Sequence, residues 1–273
     1  MTEIEGERVT NSAALPLDPL WGAAVVLGAA AFIRWGDAWV YHWAYRVSPP
    51  GMAGIVFVNL VSVAWYAWPV VFIVALLHGA KALGEELGLQ QGGGPGVGYA
   101  LLFTLPMSVG YALLGEVAKV APSVLVVNQL RAAFREELFY RAFLFGQLFR
   151  RMRWGFVPAV GGNAVLFAVG HLYQASTLWE GIGVFAVAWI GAVWFAWLFV
   201  EWAYNLWLLI GLHFFMNLWW ELFRVGEAAF SGMMLIESCR LLTVLASVGW
   251  TIWWRSRRGG LILRRRMLWR RRG

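Results

Sequence analysis

Residues 124–149 read VLVVNQLRAAFREELFYRAFLFGQLF. Apart from its charged positions, the stretch has the apolar content of a membrane helix, and about 20 such residues cross a bilayer core. Arg131, Arg135, Glu136, Glu137 and Arg141 interrupt it. An ionisable group at membrane depth costs roughly 2.5–3.5 kcal/mol or more. It persists where it pairs, faces the bundle interior or lines a water-filled cavity. Two adjacent carboxylates with a guanidinium one helical turn on therefore read as a functional site inside a helix bundle.

Composition supports that reading. Of 273 residues, 60% are hydrophobic and 14% charged, against roughly 45–50% and about 25% in soluble domains. Apolar runs of spanning length recur near 20–45, 54–78, 97–118, 123–149, 155–175, 181–200, 205–222 and 232–254. The first is broken by Arg34 and Asp37, the fourth by its arginines and glutamates. The expected fold is all-α, a polytopic transmembrane bundle of about eight helices.

The net charge of +7 has a local origin. Nine of the 22 Lys and Arg residues lie in positions 255–273, which contain no acidic residue; positions 1–254 carry 13 basic against 15 acidic residues. A polybasic segment after a membrane helix orients the chain and binds anionic lipid. Leu261, Ile262, Leu263, Met267, Leu268 and Trp269 among the arginines predict a tail lying on the membrane surface. No nucleic-acid-binding module accompanies the charge, so no nucleic-acid partner is expected.

Three regions follow: an acidic segment 1–19, a transmembrane domain 20–254 with its motif-bearing core at 97–222, and an Arg-rich tail 255–273. The first run lacks the flanks of a cleaved signal peptide and is expected to be retained. Placing Arg150, Arg151, Arg153 and the tail in the cytoplasm puts four helices between them. Both termini are then cytoplasmic, in a prokaryotic plasma membrane. Tryptophans at predicted helix ends (Trp21, Trp179, Trp202, Trp253, Trp254) suggest interfacial belts. Residues 79–96, with the run Gly92 to Gly96 around Pro95, read as a flexible loop; no Gly-Lys-Ser/Thr makes them a phosphate cradle.

Elimination narrows the chemistry. Two aspartates, Asp18 and Asp37, are poor material for a paired-aspartate protease. There is no His-Glu-x-x-His zinc helix and no Gly-x-Ser-x-Gly elbow. The single cysteine, Cys239, reads as a small packed residue. His42 and His78 stand near helix ends and read as interfacial. What remains is Glu136 and Glu137 with Arg141, Phe167 followed four positions later by His171, and His213 followed four positions later by Asn217. That spacing puts each pair on one helix face. Glu136 diverges from Glu137 by about 100°, which leaves Glu137 to brace Arg141 and Glu136 free to face a cavity. Each residue alone has a plain alternative as interhelical glue.

Glu136-Glu137-x-x-x-Arg141, Phe167-x-x-x-His171 and His213-x-x-x-Asn217 together resemble, in order, the three motifs of the CAAX protease and bacteriocin-processing family, the glutamate-type intramembrane proteases. The resemblance covers roughly residues 97–222. It implies an endopeptidase acting on a membrane-associated or lipidated protein. Glu136 would activate water with help from His171, His213 and Asn217 would form the oxyanion hole, and Glu137, Arg141 and Phe167 would support them. No metal or cofactor is expected, although Glu136, His171 and His213 have the donor types for zinc. The other classes kept open are a non-catalytic scaffold or immunity protein on this fold, and a proton-coupled transporter.

Overall fold

The structure, a computed structural model, describes residues 18–225 and 230–269, with side chains from 234 in the second stretch. The acidic segment expected over residues 1–19 lies almost wholly outside the described residues. The described chain is all helical, as expected. It contains α1 (Pro19–Val47), α2 (Met52–His78), α3 (Leu83–Glu86), α4 (Gly93–Phe103), α5 (Leu105–Leu114), α6 (Pro122–Glu136), a π-helical segment (Glu137–Phe145), α7 (Gly146–Arg150), α8 (Phe156–Val169), α9 (Leu178–Glu201), α10 (Leu206–Leu222) and α11 (Phe230–Ser256). With α4–α5 and α6–π–α7 each taken as one unit, these fill the eight expected runs.

The boundaries follow from local chemistry. Asp18 caps α1 by accepting the Leu20 N–H, with Pro19 in the first turn. Pro106, in the first turn of α5, cannot continue the α4 hydrogen-bond ladder, and the two helices meet at 42°. Thr177 and Glu180 form a reciprocal capping box on α9. Asn205 accepts the Trp207 and Leu208 N–H groups at the start of α10.

Among the described residues five helices are long and apolar enough to span a bilayer, six if the bent α4–α5 pair is one span, and α10 is a shorter apolar helix. Large apolar side chains such as Leu60, Trp68, Leu113 and Ile190 point outward. With lipid as the solvent this is the expected arrangement. The chain is an integral membrane protein. The inverse pattern holds at the centre, where every residue from Glu137 to Phe149 is buried and α1, α2, α8, α9 and α10 pack around the π segment.

Three expectations are corrected. Residues 79–96 are a docked connection, and the Gly93–Gly96 stretch already begins α4. Gly88 adopts φ +69 with the Tyr204 carbonyl against the position a Cβ would occupy, so only glycine fits. Glu86 is buried and ion-paired with Arg151 and Arg150. Burial alone would raise its carboxyl, but the Arg151 hydrogen bond and the two positive charges outweigh burial and hold it below its ordinary value. A depressed folded-state pKa contributes stability above the unfolded value and loses it as pH falls through the folded one. Glu86→Gln is therefore expected to flatten the acid limb of thermal stability in detergent; an unchanged limb would assign acid sensitivity elsewhere.

The second correction concerns the tail. Glu201 is fully buried, and its carboxylate accepts the Ile262 and Leu263 N–H groups at 2.8 and 2.9 Å, with Arg255 beside it at 3.6 Å. The Leu268 carbonyl accepts the Val157 N–H at 2.8 Å. Ile262, Leu263, Met267 and Leu268 pack on the core, so the described part of the tail folds against the protein while Arg257, Arg258, Arg264, Arg265 and Arg266 stay exposed. Glu201→Gln should speed amide exchange at Ile262 and Leu263 at least tenfold by mass spectrometry; unchanged exchange would show that packing alone holds the tail.

The third concerns polar residues assigned to the interface. Trp202 is buried and donates to Thr251 at 2.9 Å. His78 Nε2 lies 2.7 Å from Gln147 Oε1, inside the bundle. Trp21 and Trp179 are exposed as expected.

Candidate active site

The two carboxylates fall on a junction: Glu136 ends α6 and Glu137 opens the π segment. A π turn bonds i to i+5, one residue wider than an α turn, and such turns recur at functional sites. Across this junction Glu137 is completely buried while Glu136 stays 16% exposed.

Glu137 is a brace with two loads. Its Oε1 accepts from Arg141 at 3.2 Å, as the spacing suggested, and also lies 2.6 Å from His213 Nδ1. Arg141 is in turn sandwiched: its guanidinium stands 4.5 Å from the Phe167 ring centroid and 5.1 Å from that of Phe195. Aromatic faces stabilise a cation in a dry site, so Phe167 supports the arginine. The same ring packs on His171, with centroids 4.3 Å apart.

His213 points its second nitrogen at the other carboxylate, with Nε2 4.0 Å from Glu136 Oε2. The imidazole thus stands between the two carboxylates, hydrogen-bonded to Glu137 and facing Glu136. His171, at the end of α8, holds its Nδ1 2.8 Å from the Phe167 carbonyl. A carbonyl only accepts, so Nδ1 carries the proton and, in the neutral ring, Nε2 is left with its lone pair available. His171 stands near enough to Glu136 to act on its charge. Asn217, one turn beyond His213 on α10, is half-buried and makes no hydrogen bond to another described residue. Its amide is free to meet a ligand.

Glu136 is not free, contrary to the reading from spacing. Arg135 donates to it at 3.2 Å. Arg135 also reaches Asp37 at 3.4 Å and Ser62 at 3.2 Å and lies over the Tyr66 ring. Arg34 completes the network, donating to Asp37 at 3.0 Å and to Tyr66 at 2.9 Å. Helices α1 and α2 therefore help hold the general-base candidate. The signal was present as Arg34 and Asp37 interrupting an apolar run, but sequence spacing does not reveal a partner 98 positions away.

Exposure marks the open side. From Glu137 to Phe149 the central helix is sealed, whereas Arg131, Arg135, Glu136, His171, His213 and Asn217 are all half-buried. An apolar groove of about 540 Å³ adjoins His171, lined by Leu172, Thr177, Leu178, Ile182 and Phe185. Among the described residues no three His, Cys, Asp or Glu side chains are grouped so as to hold a metal ion.

Residues 118–219 match the family model described as Type II CAAX prenyl endopeptidase Rce1-like. No curated protein and no solved structure matches the chain. The match spans all three motifs and bears out the resemblance they carry.

Proposed function

We propose that this membrane protease, whose residues 118–219 carry the type II CAAX prenyl endopeptidase match, hydrolyses a peptide bond near the C-terminus of a lipidated or membrane-associated protein by a glutamate-activated water. The observation that carries the proposal is the position of His213 between the two carboxylates, with Nδ1 on Glu137 and Nε2 facing Glu136. A donor held beside a partly exposed carboxylate is what a base with a neighbouring oxyanion donor requires, and it supports that reading.

Water lies between Glu136 and the scissile carbonyl, with His171 Nε2 accepting its second hydrogen. As the water oxygen bonds to the carbonyl carbon, Glu136 takes its proton. The negative charge that forms on the carbonyl oxygen is met by the Asn217 amide and by His213. Glu137 makes the second donor possible. With Nδ1–H held by that carboxylate, a proton on Nε2 makes the ring an imidazolium, and Glu137 stabilises that charge. Collapse of the intermediate breaks the C–N bond, and Glu136 returns the proton to the leaving amine. One product gains a carboxylate, the other an amino terminus.

The apolar groove beside His171 suits a lipid chain carried by the substrate. The exposed arginines of the docked tail suit an anionic lipid surface, and the positive-inside rule then puts that face in the cytoplasm. The test is direct. The purified chain is incubated with a farnesylated peptide ending in a CAAX sequence, and cleavage is read by mass spectrometry alongside Glu136→Gln. Cleavage by both proteins or by neither would refute the mechanism; a scaffold would tolerate the loss of Glu136.

A further inference from the structure

Three guanidiniums, Arg34, Arg131 and Arg135, gather where α1, α2 and α6 meet beside Glu136, and two carboxylates, Asp37 and Glu136, face them. The pairing leaves one over. Arg34 takes Asp37 and Tyr66, and Arg135 takes Asp37 and Glu136. Arg131 makes no hydrogen bond or ion pair with any described residue, and its Nε is buried without a partner. Arg131 is one turn before Arg135 on the same face of α6, so its nearest charged neighbour on its own helix has the same sign. Tyr41, Asp37 and Glu136 act on it only at longer range.

A half-buried arginine beside a like charge, at membrane depth, is an arrangement that calls for an anion. We infer that Arg131, backed by Arg135 and Arg34, is the subsite for the free C-terminal carboxylate of the peptide being cut. This rests on the hydrolase reading above and adds to it a reason for cutting near a C-terminus. The spacing agrees. Arg131 precedes Glu136 by five residues, about 7.5 Å of helix rise. The three residues beyond a scissile bond span about 10 Å when extended. An arginine side chain closes the difference, and its planar fork matches a carboxylate with two parallel bonds. A lipid phosphate would satisfy the same fork. The peptide carboxylate is favoured because Arg135 ties this cluster directly to the catalytic glutamate, so an anion seated there is aligned with the reacting bond.

The experiment uses two farnesylated CAAX peptides that differ only in ending as a carboxylic acid or a carboxamide. With wild-type protein in detergent, the acid should be cleaved at least tenfold better in kcat/KM. Arg131→Gln should bring the ratio to about one through a higher KM for the acid, and Arg131→Lys should restore part of it. Equal cleavage of the two peptides by wild type, or an equal fall on both in Arg131→Gln, would overturn the subsite. Binding of the same peptides to Glu136→Gln, read by fluorescence anisotropy, separates this inference from the hydrolase reading. A preference for the acid that vanishes in Glu136→Gln/Arg131→Gln would uphold the subsite even if turnover failed. If nanodiscs rich in phosphatidylglycerol abolish that preference competitively, while neutral nanodiscs do not, the anion is a lipid headgroup and the peptide assignment falls.

Discussion

Glu136→Gln is expected to lower the rate of peptide hydrolysis by about a thousandfold, in the middle of the range for removing a general base. The change is nearly isosteric, and glutamine still accepts from Arg135, so the α1–α2–α6 network should keep its shape. Thermal unfolding in detergent should shift little, because the carboxylate is partly open and its ion pair is not fully buried. The decisive measurement is turnover of the CAAX peptide on protein shown to be folded by its melting curve. Activity within tenfold of wild type would remove Glu136 from the role of base and throw the chemistry onto His171.

Glu137→Ala should act on stability first, with a cost of about 3–5 kcal/mol, the usual result of breaking a buried pair from one side. The loss is large because Arg141 is then uncompensated between Phe167 and Phe195, and His213 loses its Nδ1 partner in the same step. A second substitution separates the two loads. In Glu137→Ala/Arg141→Leu the uncompensated cation is gone, so stability should largely return. Activity should not, because His213 still lacks the carboxylate that fixes its orientation. Recovery of activity together with stability would show that the glutamate serves the arginine alone.

Much of this was legible in sequence, for identifiable reasons. The bilayer demands long apolar helices, so their number and approximate limits could be read from hydropathy. Intrahelical pairs such as Glu137 and Arg141 follow from the four-residue spacing. Periodicity, however, assigns a face without naming the neighbour. The spacing of His213 and Asn217 correctly puts them on one side of α10, yet His213 bonds across the bundle to Glu137, 76 positions away. Arg135 reaches Asp37 in the same manner. The tail misleads for a different reason. Its arginines dominate the composition, while what docks it is two backbone N–H groups on the buried Glu201 carboxylate and four apolar side chains packed on the core.

The widened turn from Glu137 to Phe145 also bears on which changes of length the chain can accept. A deletion of one residue there that leaves the winding on either side unchanged rotates one flank by about 100° and draws it in by 1.5 Å. The upstream flank is tethered through Asp37 and His213, so the rotation falls on α7. It would carry Gln147 away from His78 and swing Arg150 and Arg151 off Glu86. Losing a single codon between 138 and 145 should thus be as harmful as replacing a motif residue, although none of the motif residues beyond Arg141 is touched. The same loss in the non-helical stretch 115–121 changes the winding of no helix. Variation in this protein should therefore favour substitution within the central helix and confine insertions and deletions to its approaches.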